Sequence, residues 1–334
     1  MPSAAKAELP KKRRVKAPAC VGSGFVALDL VFEGDERVHP SFTFAGGSCG
    51  NVLTILAYLE WDSTPVIRLK NDDEAKKLVA DLERWKVDTR FVRTEPTGST
   101  PVVVQRICTS INGDPFHRFE WKSPNTGLWL PRYRPLPQRI ALEVSNQLPK
   151  PEVFYFDRAT KSSLFLAQEA QRAGALVFFE PSSSPDDEVF RQCVDVSDIL
   201  KYSADRIENF PHHRNRRTTL LEIQTLGKNG LRFRTDLKRT WKRLEAKPVA
   251  KFVDAAGAGD WCSAGILNSL GRRGKKGFLT ASPTAIEKAL RFGQILASIN
   301  CGYAGARGSM YHLKRPALLR QAQSLLNANR PKSH

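Results

Sequence analysis

The sequence has little of what extracellular and membrane proteins contain. Its six cysteines are far apart and no two form a C-x-x-C pair. Disulfide frameworks and zinc sites need paired cysteines, so neither is expected. No apolar run approaches the ~20 residues of a transmembrane helix. Residues 1–20 lack the apolar segment of a secretory signal. We therefore expect a cytoplasmic protein that does not enter a membrane.

Acidic residues are also scarce, with 34 Asp and Glu against 52 Lys and Arg, a net charge of +18. The excess bases cluster in residues 1–20, 212–251 and 311–334. Such clusters bind nucleic acid in some proteins, but solvated surface charge is the interpretation we favour. The basic run 11–16 resembles a nuclear-localisation signal, and a disordered basic tail explains it equally well.

The second half of the chain alternates between predicted strands and helices. Val153–Phe156 and Ala175–Phe179 are continuous apolar runs without the alternation of a half-exposed strand. Such strands are buried on both faces, which is typical of a parallel sheet between two layers of helices. The sequence therefore predicts an α/β fold, with Ile199–Tyr202 and Leu220–Thr225 as further strands.

The first third does not follow this alternation. It predicts strands over Cys20–Phe32, Val38–Phe44 and Thr64–Leu69, and a hairpin made of Thr100–Ile107 and His117–Trp121. We expect a small lid sheet formed from about residues 38–44 and 100–121. The predicted organisation is a basic disordered tail over 1–18, a single domain over 19–320 and a basic tail over 321–334.

The strongest local motif is the small-residue run Asp254-Ala-Ala-Gly-Ala-Gly-Asp260, followed by a predicted helix. Backbone N–H groups at a helix N-terminus bind anions. A carboxylate beside them is well placed to take a proton from a nucleophile. Alternatively, Asp260 merely caps its helix.

This motif resembles the C-terminal signature of the ribokinase-like, or PfkB-type, carbohydrate kinases. Other motifs of that family occur here in the family's order, from about residue 20 to residue 315. They are Ala45-Gly-Gly-Ser-Cys-Gly-Asn51, Asn71-Asp-Asp-Glu74 with Val87-Asp-Thr89, Thr225-Leu-Gly-Lys-Asn-Gly230, and Gly305-Ala306 with Ser309.

The resemblance implies ATP-dependent phosphorylation of a hydroxyl on a sugar, nucleoside or related alcohol. Asp260 would be the base, and the N–H groups of Gly257, Ala258 and Gly259 would form the anion hole. The implied fold is a central, mostly parallel sheet flanked by helices, with a β-sheet lid. Phosphoryl transfer depends mainly on positioning and charge stabilisation, which suits such a site.

The resemblance also assigns ligand-binding residues. On the acceptor side they are Asp29, Gly46, Gly47 and Asn51. On the nucleotide side they are Thr225, Gly227, Gly230, Ser203, Gln294 and Gly305. Some of these residues have a structural alternative: Asp29 as a polar residue at a strand end, Gly46, Gly47, Gly227 and Gly230 as turn residues, and Asn51 as part of a helix's first turn.

One stretch departs from the family pattern. Where relatives have an N-x-x-E motif that organises water around magnesium, this chain has Ser203 in the Asn position and Arg206 in the acid position. Asp205 or Glu208 would then serve the metal. Arg206 would bind phosphate, point to solvent or form a surface ion pair, and we favour solvent or the ion pair. Glu180 likewise replaces the Asp of the family's D-P-N strand end.

The resemblance implies ATP and Mg²⁺ as cofactors, with a monovalent cation used by some members near the Gly305 loop. A sugar or nucleoside is the expected partner, and a homodimer through the lid occurs among relatives. An alternative hypothesis is a catalytically weak kinase fold that binds nucleotide or sugar as a regulator or sensor. The substrate itself is not readable from the sequence.

Overall fold

The computed structural model describes residues 16–33, 39–109, 115–185, 187–207, 210, 220–235 and 240–328. Numbered in chain order, its strands are β1 (Ala19–Ser23), β2 (Ala27–Glu33), β3 (Phe42–Gly46), β4 (Asp62–Pro65), β5 (Ile67–Leu69), β6 (Val92–Thr94), β7 (Val102–Thr109), β8 (Pro115–Glu120), β9 (Val153–Phe156), β10 (Leu176–Phe179), β11 (Ile199–Ser203), β12 (Leu221–Thr225), β13 (Leu231–Arg234) and β14 (Lys242–Leu244).

The α-helices are α1 (Ser48–Tyr58), α2 (Asp73–Arg84), α3 (Gln138–Ser145), α4 (Lys161–Arg172), α5 (Glu188–Val196), α6 (Ala258–Leu270), α7 (Gly274–Leu279), α8 (Pro283–Asn300), α9 (Gly308–His312) and α10 (Arg315–Asn327). Short polar side chains cap several of them: Asp72 caps α2, Thr160 caps α4 and Asp187 caps α5. Each accepts a hydrogen bond from a first-turn N–H that has no partner within the helix.

Eight strands form the central sheet in the order β14-β13-β12-β11-β10-β9-β1-β4. The strands from β12 to β4 are parallel, and β13 and β14 are antiparallel additions at one edge. Every residue of Val153–Phe156 and Leu176–Phe179 is buried. The predicted parallel sheet is confirmed. Strands β9 and β10 are apolar throughout because helices cover both faces of the sheet.

Alternate residues of the central strands enter two separate hydrophobic cores. Val153 and Tyr155 pack with helices α1, α6 and α8. Phe154 and Phe156 face the other way and pack with α3, α4 and α5. The twofold alternation of a strand thus distributes one apolar run between two layers.

A second sheet forms the lid, with the strand order β3-β2-β7-β8. Strands β2 and β7 are parallel, while the β2–β3 and β7–β8 pairs are antiparallel. The hairpin predicted around residues 100–121 is present as β7 and β8. The observed strand β3 covers Phe42–Gly46 and so lies later in the chain than the predicted Val38–Phe44. The lid sheet also includes β2, which was not predicted to belong to it.

The expected single strand over Cys20–Phe32 is wrong. It divides into β1 in the central sheet and β2 in the lid, with the break at Gly24. There the Asp157 carboxylate accepts the N–H of Phe25 at 2.7 Å, and a Cβ on Gly24 would lie 1.8 Å from that carboxylate. Thr64–Leu69 also divides, into β4 in the central sheet and β5, which pairs with β6 in a separate two-stranded sheet.

Both predicted ends of the domain fall within ordered structure. Helix α10 continues through residue 320 to Asn327, and Ala322 is fully buried. Pro18 is buried, and its carbonyl accepts the N–H of Asp62 at 2.9 Å. The basic run 11–16 lies outside the described residues except for the exposed Lys16.

Candidate active site

A cavity of about 1170 Å³ lies between the lid sheet and the carboxyl ends of the central strands. Strands β2 and β7 and the start of α1 line it on the lid side. The segments that follow β9, β10, β11 and β12 line it on the core side, together with the start of α6. Open α/β sheets bind ligands at the carboxyl ends of their strands, so this cavity is the candidate site.

Most residues predicted for the site line this cavity. They are Asp260, Gly257, Ala258, Gly259, Asp29, Gly47, Asn51, Ser203, Asp205, Thr225, Gly227, Gly230 and Gln294. Gly46 and Gly305 do not line it, although Gly46 contacts the lining residue Asp29 and Gly305 precedes the lining residue Ala306. Glu208 lies outside the described residues.

The start of α6 is shaped by Gly257. Its φ of 69° is left-handed, and a Cβ there would lie 2.1 Å from the carbonyl oxygen of Ala306. Only glycine fits this turn. Among the described residues, the N–H groups of Gly257 and Gly259 have no hydrogen-bond partner, whereas that of Ala258 donates to Ala255 at 3.2 Å. The expected anion hole therefore offers two open N–H groups rather than three.

Asp260 lies in the first turn of α6, facing α1. The side-chain amide of Asn51 donates to its Oδ2 at 2.7 Å. Burial and the charge of Glu180 raise the pKa of Asp260 to about 8, against the opposing effects of Asn51, Lys201 and Arg206. A carboxylate whose pKa lies near neutrality is suited to accept a proton from a hydroxyl.

A buried ion pair lies under the start of α6. Lys201 on β11 donates to Glu180 and, at 3.2 Å, to the carbonyl of Gly259. The other carboxylate oxygen of Glu180 accepts from Tyr155 at 3.0 Å and Ser263 at 2.5 Å. Burial acts to lower the pKa of Lys201, but the charge and hydrogen bond of Glu180, together with Cys262 and Asp260, outweigh it and the pKa is raised.

The sequence did not predict this pairing. Glu180 stood out only as a replacement for the Asp of the family motif, and Lys201 only as the residue two before Ser203. Nothing in their spacing shows that β10 and β11 lie side by side, which is what brings the two side chains together.

The acceptor end of the cavity contains Asp29 on β2. Burial raises the pKa of Asp29 to about 7, and the nearby charge of Arg307 opposes this. A Cβ on Gly46 would lie 1.9 Å from the Asp29 carboxylate, so a side chain there would displace that carboxylate. The Oδ1 atom of the buried Asn51 has no partner among the described residues. This end therefore presents acceptor oxygens to a ligand.

The opposite end is built from the loops after β11 and β12 and from α8. Thr225, Gly227 and Gly230 line it. Gln294 is buried, and its Nε2 donates to the carbonyl of Leu244 at 3.4 Å. Its Oε1 has no partner among the described residues. A buried amide oxygen without a partner fits a ligand that supplies a donor.

The residues expected to serve a metal give a mixed result. Asp205 and Arg206 both line the cavity and both are exposed. Arg206 therefore meets solvent, as favoured from the sequence, but it also faces the cavity. Within the described ranges, no group of three or more His, Cys, Asp or Glu is arranged to hold a metal ion.

Two buried polar residues that the sequence did not single out as site residues hold the surrounding loops. Asp254 accepts the N–H groups of Ala256 and Gly305, each at 2.8 Å. Asn300 donates to the carbonyl of Ala256 at 3.2 Å and accepts from Ser309 at 3.0 Å. Together they fix the loop before α6 against the loop before α9. The position of Asp254 within the motif was a usable signal, whereas Asn300 had none.

Comparison with known proteins points to one family. Residues 19–312 match the pattern of the "pfkB family carbohydrate kinase". A fructokinase from Klebsiella pneumoniae is 26% identical over 271 residues, which cover 75% of this chain and 84% of that protein.

Solved structures show the same fold. An Arabidopsis thaliana ribokinase complexed with ribose and ATP superposes with a TM-score of 0.66 at 19% identity, covering 92% of this chain and 99% of that chain. A fructokinase double mutant from Vibrio cholerae O395, in a form that contains fructose, ADP and potassium, has a TM-score of 0.67 at 18% identity, covering 92% and 100%.

The chain belongs to the pfkB family of carbohydrate kinases. It is accordingly an ATP-dependent sugar or nucleoside kinase. None of the helices in the described ranges is both long and apolar enough to cross a membrane.

Proposed function

We propose that this kinase transfers the terminal phosphoryl group of ATP to a hydroxyl of a sugar or nucleoside bound between Asp29, Asn51 and Asp260. The observation that carries the proposal is the position of Asp260. It shares one cavity with the acceptor-side carboxylate Asp29 and with the open N–H groups of Gly257 and Gly259.

Asp260 would take the proton of the acceptor hydroxyl. Its pKa of about 8, raised by burial and by Glu180, makes it basic enough to accept a proton as the hydroxyl becomes the nucleophile. Asn51 holds the carboxylate through a 2.7 Å hydrogen bond. The N–H groups of Gly257 and Gly259 would bind the negative charge of the transferring group.

The opposite end of the cavity fits a nucleotide. The amide oxygen of Gln294 has no partner among the described residues and can accept a hydrogen bond from the ligand. The loop that contains Thr225, Gly227 and Gly230 lets a ligand approach the backbone closely. ATP supplies the phosphoryl group when it is bound. Ser203 would contribute its hydroxyl, and Gly305 would act through the loop that Asp254 holds.

Magnesium fits as an ion held mainly by phosphate and water. Mg²⁺ commonly uses only one or two protein carboxylates in such sites, and Asp205 is the exposed carboxylate available in this part of the cavity. A role for Glu208 stays a prediction. The potassium in the Vibrio cholerae structure supports a monovalent cation here, and the family resemblance would place it near the Gly305 loop.

A sugar is the acceptor we favour, because the similar Klebsiella pneumoniae protein is a fructokinase. An assay of ATP consumption across fructose, ribose, related sugars and nucleosides tests this, with product detected by mass spectrometry. Saturable formation of a phosphorylated acceptor is the expected result. Turnover of none of them, with ATP binding intact, would contradict the proposal.

That negative result would favour the second candidate, a nucleotide- or sugar-binding regulator. The observation that favours a regulator is Arg206, a cation that lines the cavity at the position where the family resemblance places an acid. Binding of ATP or sugar without turnover, measured calorimetrically, separates the two functions. Homodimer formation stays a prediction, and nucleic-acid binding stays the less favoured interpretation of the basic clusters.

A further inference from the structure

The edge of the lid nearest the acceptor site is held by a buried ion pair. Strand β3 lies at the edge of its sheet, so Ala45 has no strand on its outer side. The Asp81 carboxylate accepts the Ala45 N–H at 2.9 Å, and Arg307 donates to the Ala45 carbonyl. Asp81 and Arg307 pair with each other at 2.5 Å. One ion pair therefore satisfies both backbone polar groups of Ala45 at a buried strand edge.

This pair joins three distant parts of the chain. Ala45 belongs to the lid, Asp81 to α2, and Arg307 to the loop before α9, 226 residues from Asp81. Arg307 is only 2% exposed. Tyr311 adds a hydrogen bond to Asp81 at 3.4 Å. Removing one member of a buried pair leaves the other charge without compensation, so the lid edge is firmly attached to the core.

The ion pair also influences Asp29, the carboxylate at the acceptor end of the cavity. The Nη1 atom of Arg307 is buried without a hydrogen-bond partner, and the charge of Arg307 acts on Asp29. In the lid, Asp29 lies opposite Phe44, one residue from Ala45. The backbone of Gly46 lies so close to Asp29 that a Cβ on Gly46 would overlap the present position of the Asp29 carboxylate. The placement of Asp29 thus depends on the path of β3 from residue 44 to residue 46.

We propose that the Asp81–Arg307 pair is a positioning clamp for acceptor binding: it fixes the lid edge at Ala45 and so holds the Asp29 carboxylate toward an acceptor hydroxyl. The proposal rests on the kinase function proposed above. It concerns the acceptor side, because the pair holds Ala45, which adjoins Gly46 beside Asp29, while neither Asp81 nor Arg307 lines the cavity. Arg307 shares its loop with Gly305, but the other nucleotide-side residues lie on other strands, loops and helices, so ATP binding should depend on the clamp less than acceptor binding does.

Steady-state kinetics with the best acceptor test the clamp in the full-length protein. Arg307→Met is expected to raise the acceptor KM about tenfold or more, while the ATP KM stays within about twofold. Arg307→Lys keeps the charge but loses the planar fork of guanidinium donors. Its acceptor KM should therefore lie between those of the parent and Arg307→Met. Asp81→Asn should resemble Arg307→Met.

A second buried pair provides a matched control. Arg234 and Glu222 pair at 2.7 Å with side chains 11% and 1% exposed, and neither lines the cavity. Arg234→Met should lower the melting temperature without a selective change in acceptor KM. Equal changes in both KM values in the Arg307 variants, or the same acceptor effect in Arg234→Met, would overturn the proposal.

Hydrogen–deuterium exchange tests the clamp without any turnover. Peptides that contain β3 should exchange faster in Arg307→Met and Asp81→Asn than in the parent and in Arg234→Met. Unchanged exchange in β3 would overturn the proposal. If no acceptor is phosphorylated, the proposed function fails while this exchange result still decides the clamp. If Arg307→Met does not fold, Arg307→Lys and Asp81→Asn decide it by both measurements.

Discussion

The side-chain amide of Asn51 donates a 2.7 Å hydrogen bond to the carboxylate of Asp260, across 209 residues of sequence. It links the first turn of α6 to α1, the helix that directly follows the lid strand β3. Because Asn51 also keeps an unpartnered oxygen in the cavity, it connects the proposed base with the acceptor site. The first predictions concern this base.

Asp260→Asn preserves the size of the side chain and removes the base. Turnover should fall by roughly 10²–10⁴, because general-base catalysis contributes on that order. Little stability should be lost, since burial already disfavours the charged form of this carboxyl. Initial rates and thermal melting measure the two effects. A variant as active as the parent would remove Asp260 from the mechanism.

The pH dependence follows from the pKa of about 8 that burial and Glu180 give to Asp260. The protonated carboxyl cannot accept a proton, so kcat/KM should rise as the pH passes through about 8. Glu180→Gln removes a charge that raises this pKa, and should move the rise to lower pH by up to about one unit. If kcat/KM of Glu180→Gln rises at the same pH as that of the parent, a group other than Asp260 controls the rise.

The same pKa of Asp260 predicts that the stability of the fold falls with rising pH, whereas kcat/KM rises. A carboxyl whose folded-state pKa lies above its unfolded value stabilises the fold at low pH, and this contribution is lost as the pH rises through the folded value. Between about pH 4 and 8, the parent should therefore lose more stability than Asp260→Asn, and little further difference should accumulate above about pH 8. Urea unfolding at several pH values measures this difference. Parallel curves for the two proteins would contradict it.

Gly257→Ala tests the turn before α6. Gly257 has a φ of 69°, and its Cβ would lie 2.1 Å from the Ala306 carbonyl oxygen. Gly127 has nearly the same φ, 68°, with nothing within 4 Å of its Cβ. Both substitutions carry a left-handed backbone cost of about 1–2 kcal/mol. Only Gly257→Ala should also reduce turnover, by about tenfold or more. Equal activity of the two variants would show that the turn tolerates a side chain.

Arg206→Ala should change the apparent ATP affinity less than about threefold, or ~0.7 kcal/mol. Arg206 is exposed, and solvent screens an exposed charge. Asp205→Ala should raise the magnesium requirement more than Arg206→Ala does. Calorimetric ATP titrations at several magnesium concentrations measure both. A collapse of ATP affinity only in Arg206→Ala would show that Arg206 binds phosphate directly.

The sequence by itself determined the layered α/β architecture and the motif that ends in Asp260. Val153–Phe156 could be assigned to a buried parallel strand because an apolar run of that length has no exposed face. It did not show that Cys20–Phe32 divides between two sheets, since Asp157, which binds the chain at the break, is 132 residues from Phe25.

Only the tertiary structure decided which charges meet. Lys201 pairs with Glu180, and Arg307 pairs with Asp81, because the sheet order and the loop before α9 bring separate segments together. Hydrophobic periodicity is a local property of one segment and is visible in its residues. Electrostatic pairing between distant segments depends on where the chain returns in space, and a single sequence contains no periodic signal for it.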